Sequence, residues 1–169
     1  MTDQRLKQLF QQLYNGDRQA FSEIYQEMKV PVFTVLVRVI GERALAEDVL
    51  QEVFLKLYQQ PPQVEKPRAY VFRMARNLAI DTLRKQQPIE NLEQPELCFQ
   101  SCDPDSRIDL ERAFSMLTVQ ERQLVALHLS AGLTFREVAV IVERPLGTVL
   151  WQYQKAISKL RMILDGGCL

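Results

Sequence analysis

Residues 44–58, ALAEDVLQEVFLKLY, decide the fold of the first half of this chain. Apolar residues recur there at three-to-four spacing, in the pairs Leu45 and Ala46, Val49 and Leu50, Val53 and Phe54, and Leu57 and Tyr58. This pattern is typical of an amphipathic helix with one buried face. A compact acidic face lies near the start of that helix, made by Glu47, Asp48, Gln51 and Glu52.

Helices are also predicted upstream of this segment. The first ends at Asn15-Gly16, a common stop signal, and the second begins after Asp17 and ends at Gly41. Because proline lacks a backbone N–H, Pro31 is expected to kink or restart the second helix. No run alternates apolar and polar residues, so the sequence predicts no strands.

The segment downstream, residues 66–85, is basic and helical, and Pro67 opens it at a position that needs no N–H. It carries six Lys and Arg residues against one Asp. Arg73 and Arg76 follow one helical face, with Tyr70 beside them. Basic side chains neutralise phosphates and aromatic rings stack on unpaired bases, which favours nucleic-acid binding. A solvated cationic face above core aromatics explains the same pattern.

A change in composition divides the chain into two parts. Residues 88–107 contain three prolines and five acidic residues and show no helical period, which predicts a flexible acidic linker. The sequence therefore predicts two small helical domains, residues 1–87 and 108–169. The chain as a whole carries 21 basic and 21 acidic residues. This balance argues against a protein that grips duplex DNA unaided.

The second half contains two capping boxes that start helices, Thr118-x-x-Glu121 and Thr134-x-x-Glu137. The first of these helices is predicted to end near Gly132. A helix over residues 134–142, a turn and a helix over residues 146–164 then form a helix-turn-helix pattern. Such helix pairs also occur as purely structural elements. The predicted fold class is all-α, with the helix-turn-helix in the second domain.

Several functions are excluded or disfavoured by the sequence. The longest apolar stretch, residues 30–37, is too short to span a bilayer, and the N-terminus resembles no export signal. The three cysteines indicate reduced thiols in a cytoplasmic protein, and the Cys98-x3-Cys102 pair is a weak metal signal. His128 sits in an apolar context typical of a structural histidine. The sequence therefore predicts no catalytic residues, metal or cofactor.

Five motifs in this order resemble the extracytoplasmic-function (ECF, group IV) sigma factors of bacterial RNA polymerase. In the first half, AEDVLQEVFLK at residues 46–56 resembles the core-binding helix of sigma region 2. RAYVFRMARNLAIDTLR at residues 68–84 resembles its promoter-melting and −10-reading helix. In the second half, LTVQER at 117–122, LTFREVA at 133–139 and PLGTV at 145–149 resemble sigma region 4.

The resemblance implies a role for each face. It implies that Asp48, Gln51 and Glu52 bind the basic coiled coil of the β′ subunit of core RNA polymerase. The residues that would meet the −10 element are Lys66, Arg68, Tyr70, Arg73, Arg76 and Asn77. Those that would meet the −35 element in the major groove are Thr148, Trp151, Gln154 and Lys155. The partners implied are core RNA polymerase, promoter DNA and an anti-sigma factor that holds the protein inactive, with no membrane insertion.

One departure from the family pattern concerns the −35 element. The family usually has a basic, small and basic trio after Gly-Thr-Val, whereas this chain has Leu150, Trp151 and Gln152. Leucine and tryptophan cannot make bidentate contacts to guanine. Two alternatives to a promoter-specificity subunit are an autonomous helix-turn-helix regulator and an interaction protein that has lost DNA reading. This run argues against the first, which would need a basic C-terminal helix, and favours the second.

Overall fold

The computed structural model describes residues 3–86 and 112–164, and every regular element in these ranges is helical. Four helices form a first group: α1 Asp3–Tyr14, α2 Gln19–Ile40, α3 Arg43–Gln59 and α4 Pro67–Gln86. A second group begins with a helical turn at residues 112–115 and continues with α5 Val119–Val125, α6 Phe135–Val142 and α7 Leu146–Leu164. The predicted linker at 88–107, with Cys98 and Cys102, lies outside the described residues.

The first group is built around α2, which packs against α1, α3 and α4. Helix α3 buries one stripe, as its periodicity predicts: Ala46, Val49, Val53, Phe54 and Leu57. Helix α2 ends where Gly41 adopts φ 83° and its N–H donates to the Val37 carbonyl at 2.8 Å. A left-handed residue at this position favours glycine, which has no Cβ to clash.

Of the two effects expected of Pro31, a kink or a restart, the restart does not occur, because α2 continues through Pro31 from Gln19 to Ile40. A proline inside a helix removes one backbone hydrogen bond and costs about 3 kcal/mol. The buried side chains on both sides of it, including Met28, Val32 and Val35, are packed in the core. Their burial offsets that cost, since each contributes about 1.5–3 kcal/mol.

The second group begins its helices as the capping boxes predict. The Glu121 N–H donates to the Thr118 hydroxyl at 3.2 Å, and the Glu121 carboxylate accepts from the Thr118 N–H at 3.0 Å. The same reciprocal pair joins Thr134 and Glu137. Two orphan donors are thereby satisfied at each helix start.

We expect Thr118→Ala and Thr134→Ala each to lower the free energy of unfolding by about 1 kcal/mol, because each loses its N-cap acceptor. Urea titration followed by circular dichroism measures this change. Ser158→Ala is the matched control, since Ser158 lies in the middle of α7, where its hydroxyl donates back to the Gln154 carbonyl. Losing that bond is close to neutral. If the two threonine variants are as stable as Ser158→Ala, Thr118 and Thr134 do not stabilise their helices as N-caps.

The helical segment that begins with α5 ends near Gly132, as the sequence predicts, but its last turn is wider than an α-helix. Its hydrogen bonding widens into a π-helical turn over Ala126–Ser130, before Gly132 adopts φ 67°. His128 lies on this turn, half-buried; its ring stacks on Phe135 at 4.0 Å and its Nδ1 lies 2.8 Å from the Leu133 carbonyl oxygen. The structure thus places His128 in the boundary environment that the sequence predicts.

The two groups are in contact and share one buried apolar cluster. It combines the cores of α1 to α4 with side chains of the second group that include Leu124, Leu127, Leu133 and Ile141. Helix α2 packs against α5 and the π-helical turn, and α4 packs against α6. The sequence left the arrangement of the two halves open, and the structure has them closed on each other.

Candidate functional site

The acidic surface of α3 is exposed on the side away from the core. Asp48, Gln51 and Glu52 all lie on it, one to two turns from the start of the helix. Glu52 forms an ion pair with Lys56 at 2.9 Å, one turn further on. Exposed i,i+4 pairs contribute little to stability, so these carboxylates are available to a partner.

An apolar groove runs beside this acidic surface, and the sequence did not reveal it. The groove has a volume of about 620 Å³, and its apolar lining consists of Phe21, Tyr25, Phe54, Leu55 and Tyr58. Asp48, Gln51 and Glu52 form its edge. Phe21 and Tyr25 are one turn apart on α2, and this spacing by itself gives no sign that both rings reach an opening.

The aromatic rings fix the shape of this groove. Tyr25 meets Phe54 edge to face at 4.8 Å, and Phe21 meets Tyr58 at 5.0 Å. The Leu55 side chain, which is 53% exposed, also lines the groove, so an accessible apolar side chain lies beside the carboxylates of Asp48 and Glu52. An exposed apolar patch with a polar rim marks an interaction surface.

The basic surface of α4 contains the six residues expected to meet DNA near the −10 element. Lys66, Arg73 and Asn77 are exposed, whereas Arg68, Tyr70 and Arg76 are half-buried. The Tyr70 ring packs against the shared core. Lys66 immediately precedes the helix, and the six side chains differ in how much of each is accessible.

Three of these side chains contact the second group. An Arg68 Nη donates to the Ala131 carbonyl at 3.0 Å, Arg73 forms an ion pair with Glu143, and the Arg76 Nε donates to the Gln123 amide oxygen at 3.3 Å. Glu143 adopts a left-handed backbone, with φ 56°, at the turn between α6 and α7. The second group thus covers part of the surface that the sequence assigned to nucleic acid.

The pKa of Arg76 is lowered from its ordinary value, first because burial disfavours the charged guanidinium. The carboxylate of Glu143 acts in the opposite direction, whereas the charges of Arg84, Arg144 and Arg73 lower this pKa further. Four guanidinium groups are therefore close enough to interact at the junction between the two groups.

The outer face of α7 carries the residues expected at the −35 element. Thr148, Trp151, Gln154 and Lys155 are all exposed, and Trp151 retains 60% of its surface. The Lys155 ammonium lies 5.3 Å from the centre of the Trp151 ring, within the range of a cation–π contact.

Two other polar side chains of α7, those of Gln152 and Lys159, are bound within the second group. Lys159 binds the buried Glu121 carboxylate of α5 at 2.7 Å. Gln152 is half-buried and accepts a hydrogen bond from Arg144 at 3.1 Å. Both side chains therefore join elements within the second group or its turn rather than facing solvent freely.

The described ranges, residues 3–86 and 112–164, contain neither a metal-binding cluster nor a membrane-spanning helix. No group of three or more His, Cys, Asp or Glu side chains there could hold a metal ion. No described helix is both long enough and apolar enough to cross a membrane.

Comparison with protein families and characterised relatives gives a consistent result. The family model "Sigma-70 region 2" matches residues 24–89. The chain is 30% identical over 162 residues to "ECF RNA polymerase sigma factor RpoE" of Cereibacter sphaeroides, covering 86% of each protein. It is 25% identical over 176 residues to "ECF RNA polymerase sigma factor SigK" of Mycobacterium tuberculosis, covering 95% of this chain and 94% of the relative.

Solved structures show the same fold. One is a sigma factor RpoE in complex with the anti-sigma factor NepR from Bartonella quintana, with TM-score 0.71, 18% identity and coverage of 86% of this chain and 96% of that one. Another is CnrH in complex with the cytosolic domain of CnrY, with TM-score 0.73, 19% identity and coverage of 96% and 98%. These likenesses extend across both helical groups.

Proposed function

Since the chain belongs to the ECF RNA polymerase sigma factors, we propose that its two helical groups divide the work of promoter-specific transcription initiation between them. The observation that carries this is the 30% identity to an ECF sigma factor over 86% of both chains. Sigma factors are non-enzymatic, and the protein would act as a subunit of RNA polymerase in the cytoplasm.

The acidic surface and groove of α3 are the proposed contact with core RNA polymerase. Asp48, Gln51 and Glu52 would face the basic coiled coil of the β′ subunit, and opposite charges would set the docking register and speed association. The aromatic groove adds an apolar component, with the half-exposed Leu55 side chain at its centre. Affinity would then come from apolar burial and register from charge.

The basic surface of α4 is the proposed contact with the opened −10 element. Lys66 and Arg73 are exposed for phosphate contacts, and Tyr70 lies close to them for stacking on an unpaired base. Because Arg68, Arg73 and Arg76 contact the second group, the two groups must separate before all three bind DNA. Core polymerase would supply the free energy for this separation.

An anti-sigma factor is a proposed partner. The two structural relatives named above are both complexes, one with an anti-sigma factor and one with a cytosolic domain of CnrY. A partner that bound both helical groups of this chain together would favour the closed arrangement and so keep the α4 surface from DNA.

Helix α7 is the proposed reader of the −35 element in the major groove. Thr148, Trp151 and Lys155 form one exposed stripe, with Gln154 beside it. Leu150, Trp151 and Gln152 stand where the family usually has a basic, small and basic trio, so contact with a thymine methyl and with phosphate would replace guanine recognition.

We expect Lys155→Ala to lower transcription from a −35-dependent promoter by roughly three- to tenfold, because one phosphate contact is lost. The dependence of binding on salt should weaken at the same time, with the slope reduced by about one unit. Run-off transcription over a series of salt concentrations measures both. Arg161→Ala is the matched control, because Arg161 is an exposed basic residue of the same helix. Lys159→Ala is unsuitable, because Lys159 binds Glu121. An unchanged salt slope would argue against a phosphate contact.

Run-off transcription with purified core polymerase, on a promoter library, with and without the protein, tests the whole proposal. Transcripts that require the protein support it, and the enriched promoters would define the sequence that α7 tolerates. Core binding without any transcript would instead favour an interaction protein. A specific shift of duplex DNA by the protein alone, with no core binding, would favour an autonomous regulator.

A further inference from the structure

A small cavity lies at the junction of the two helical groups, and its polar lining consists of hydrogen-bond donors from both. Its volume is about 170 Å³. Arg76 and Arg84 reach it from α4, and Arg144 reaches it from the turn between α6 and α7. Three side-chain amides complete the polar lining, those of Gln120, Gln123 and Gln152. No carboxylate lines the cavity.

The positive charge of this cavity is poorly balanced by its hydrogen-bond partners. Arg76 donates to the amide oxygen of Gln123, and Arg144 donates to that of Gln152. Both acceptors are neutral. Arg84 lies 4.0 Å from the Asp81 carboxylate in an exposed ion pair, which is worth little. The carboxylate of Glu143 forms its ion pair with Arg73 and is not part of the lining, although its charge also acts on Arg76.

Like charges held together in a partly buried place favour binding of an anion. Burial lowers the pKa of Arg76, the Glu143 carboxylate acts in the opposite direction, and the neighbouring guanidinium groups lower this pKa further. A dianion placed between the three arginines would offset the repulsion among their charges. The planar guanidinium offers two parallel N–H donors, which match the oxygen spacing of phosphate.

We propose that this cavity binds a small phosphate-bearing anion, held by Arg76, Arg84 and Arg144 and by the surrounding glutamine amides. The volume is below the roughly 300 Å³ at which pockets for drug-sized molecules begin. One or two phosphate groups fit this description better than a whole nucleotide. The source could be free phosphate, pyrophosphate or the phosphate end of a nucleotide whose nucleoside stays outside.

Because the donors come from both helical groups, the anion binds the closed arrangement in preference to the open one. Binding therefore stabilises the contact between the groups. This consequence rests on the proposed function: Arg76 is also a proposed DNA contact, so the anion and the −10 element would compete for it. An anion that rises in concentration would then hold the sigma factor closed.

Isothermal titration of the full chain with pyrophosphate, and separately with inorganic phosphate, tests the site without polymerase or DNA. We expect saturable binding that Arg144→Gln and Arg84→Gln each weaken at least about tenfold, since each loses charge-assisted hydrogen bonds. Lys85→Gln and Arg136→Gln are matched controls, because both residues are exposed and lie outside the cavity. Circular dichroism shows whether each variant is folded. If Arg144→Gln does not fold, Arg84→Gln still tests the site, because Arg84 is exposed and its substitution should not disturb the core.

Hydrogen exchange provides an independent readout of closure. Pyrophosphate should slow amide exchange in α4 and α5 of the wild-type chain, and should not do so in Arg144→Gln. Sodium chloride at equal ionic strength and a nucleoside triphosphate are the comparison arms. Weaker binding of the triphosphate would identify the free anion as the ligand, and tighter binding would identify a nucleotide.

Three results would overturn the proposal: no saturable heat, equal weakening by the control variants, or an effect of pyrophosphate that sodium chloride reproduces. Failure of the proposed function would look different. It would leave the titration intact and abolish transcripts in the run-off assay.

Discussion

Asp48→Lys combined with Glu52→Lys is expected to weaken binding to core RNA polymerase roughly 100-fold, and to abolish protein-dependent transcripts at matched concentrations. Both carboxylates are exposed at the edge of the aromatic groove on α3. Reversing them places lysines against a basic partner surface, and juxtaposed like charges cost several kcal/mol. Association kinetics with purified core measure the effect, which should appear largely in the on-rate and shrink at high salt.

Glu23→Lys provides the matched control for this charge reversal. Glu23 is an exposed acidic residue in the same helical group, paired with Arg5 at 3.0 Å. It lies two residues from both Phe21 and Tyr25 on α2, so it points away from the groove. Equal loss of core binding in the control would show that net charge alone matters, and would remove the case for a defined acidic surface.

Arg73→Ala is expected to lower promoter opening by about 10- to 100-fold, whereas Glu143→Ala should leave transcription unchanged or raise it. The two substitutions break the same ion pair. The pair is exposed, so neither change should alter stability by more than about 1 kcal/mol. Their functional effects should nevertheless differ, since Arg73 is the proposed DNA contact and Glu143 only competes with DNA for it.

Permanganate reactivity of unpaired thymines at the −10 element measures this opening in the assembled complex. Thermal unfolding of both variants establishes that each is folded. Equal losses in the two variants would mean that the ion pair itself serves transcription, and that α4 does not contact DNA through Arg73. A normal open complex with Arg73→Ala would lead to the same conclusion.

The helices of this chain follow from local patterns, which is why the sequence predicts most of their bounds. The stripe on α3 and the capping boxes at Thr118 and Thr134 act within a few residues. At Pro31 the local pattern allows a restart that the structure does not show, because packing at a distance outweighs the local cost of the proline. The π-helical turn at Ala126–Ser130 is a second exception, since no residue type there signals a widened turn.

The surfaces of the site are less predictable than the helices. Charge and spacing identify the acidic and basic faces, and the resemblance to a known family assigns each face a role. They do not identify the groove, because it forms only when α2 and α3 pack side by side. The contacts of Arg68, Arg73 and Arg76 join residues 47 to 70 positions apart in the chain. No local pattern encodes such pairs.

The apolar cluster that spans both helical groups also affects how the free protein melts. The second group also has a smaller cluster of its own, which includes Phe114, Leu117 and Leu160. Domains whose cores are wholly separate unfold independently, but two groups joined by a shared cluster lose that cluster together. Differential scanning calorimetry of the free chain should therefore record a single transition. A cavity at Leu127 in the second group would then lower the melting temperature of α1 to α4 as well. A substitution that destabilises either helical group is therefore expected to destabilise the whole protein.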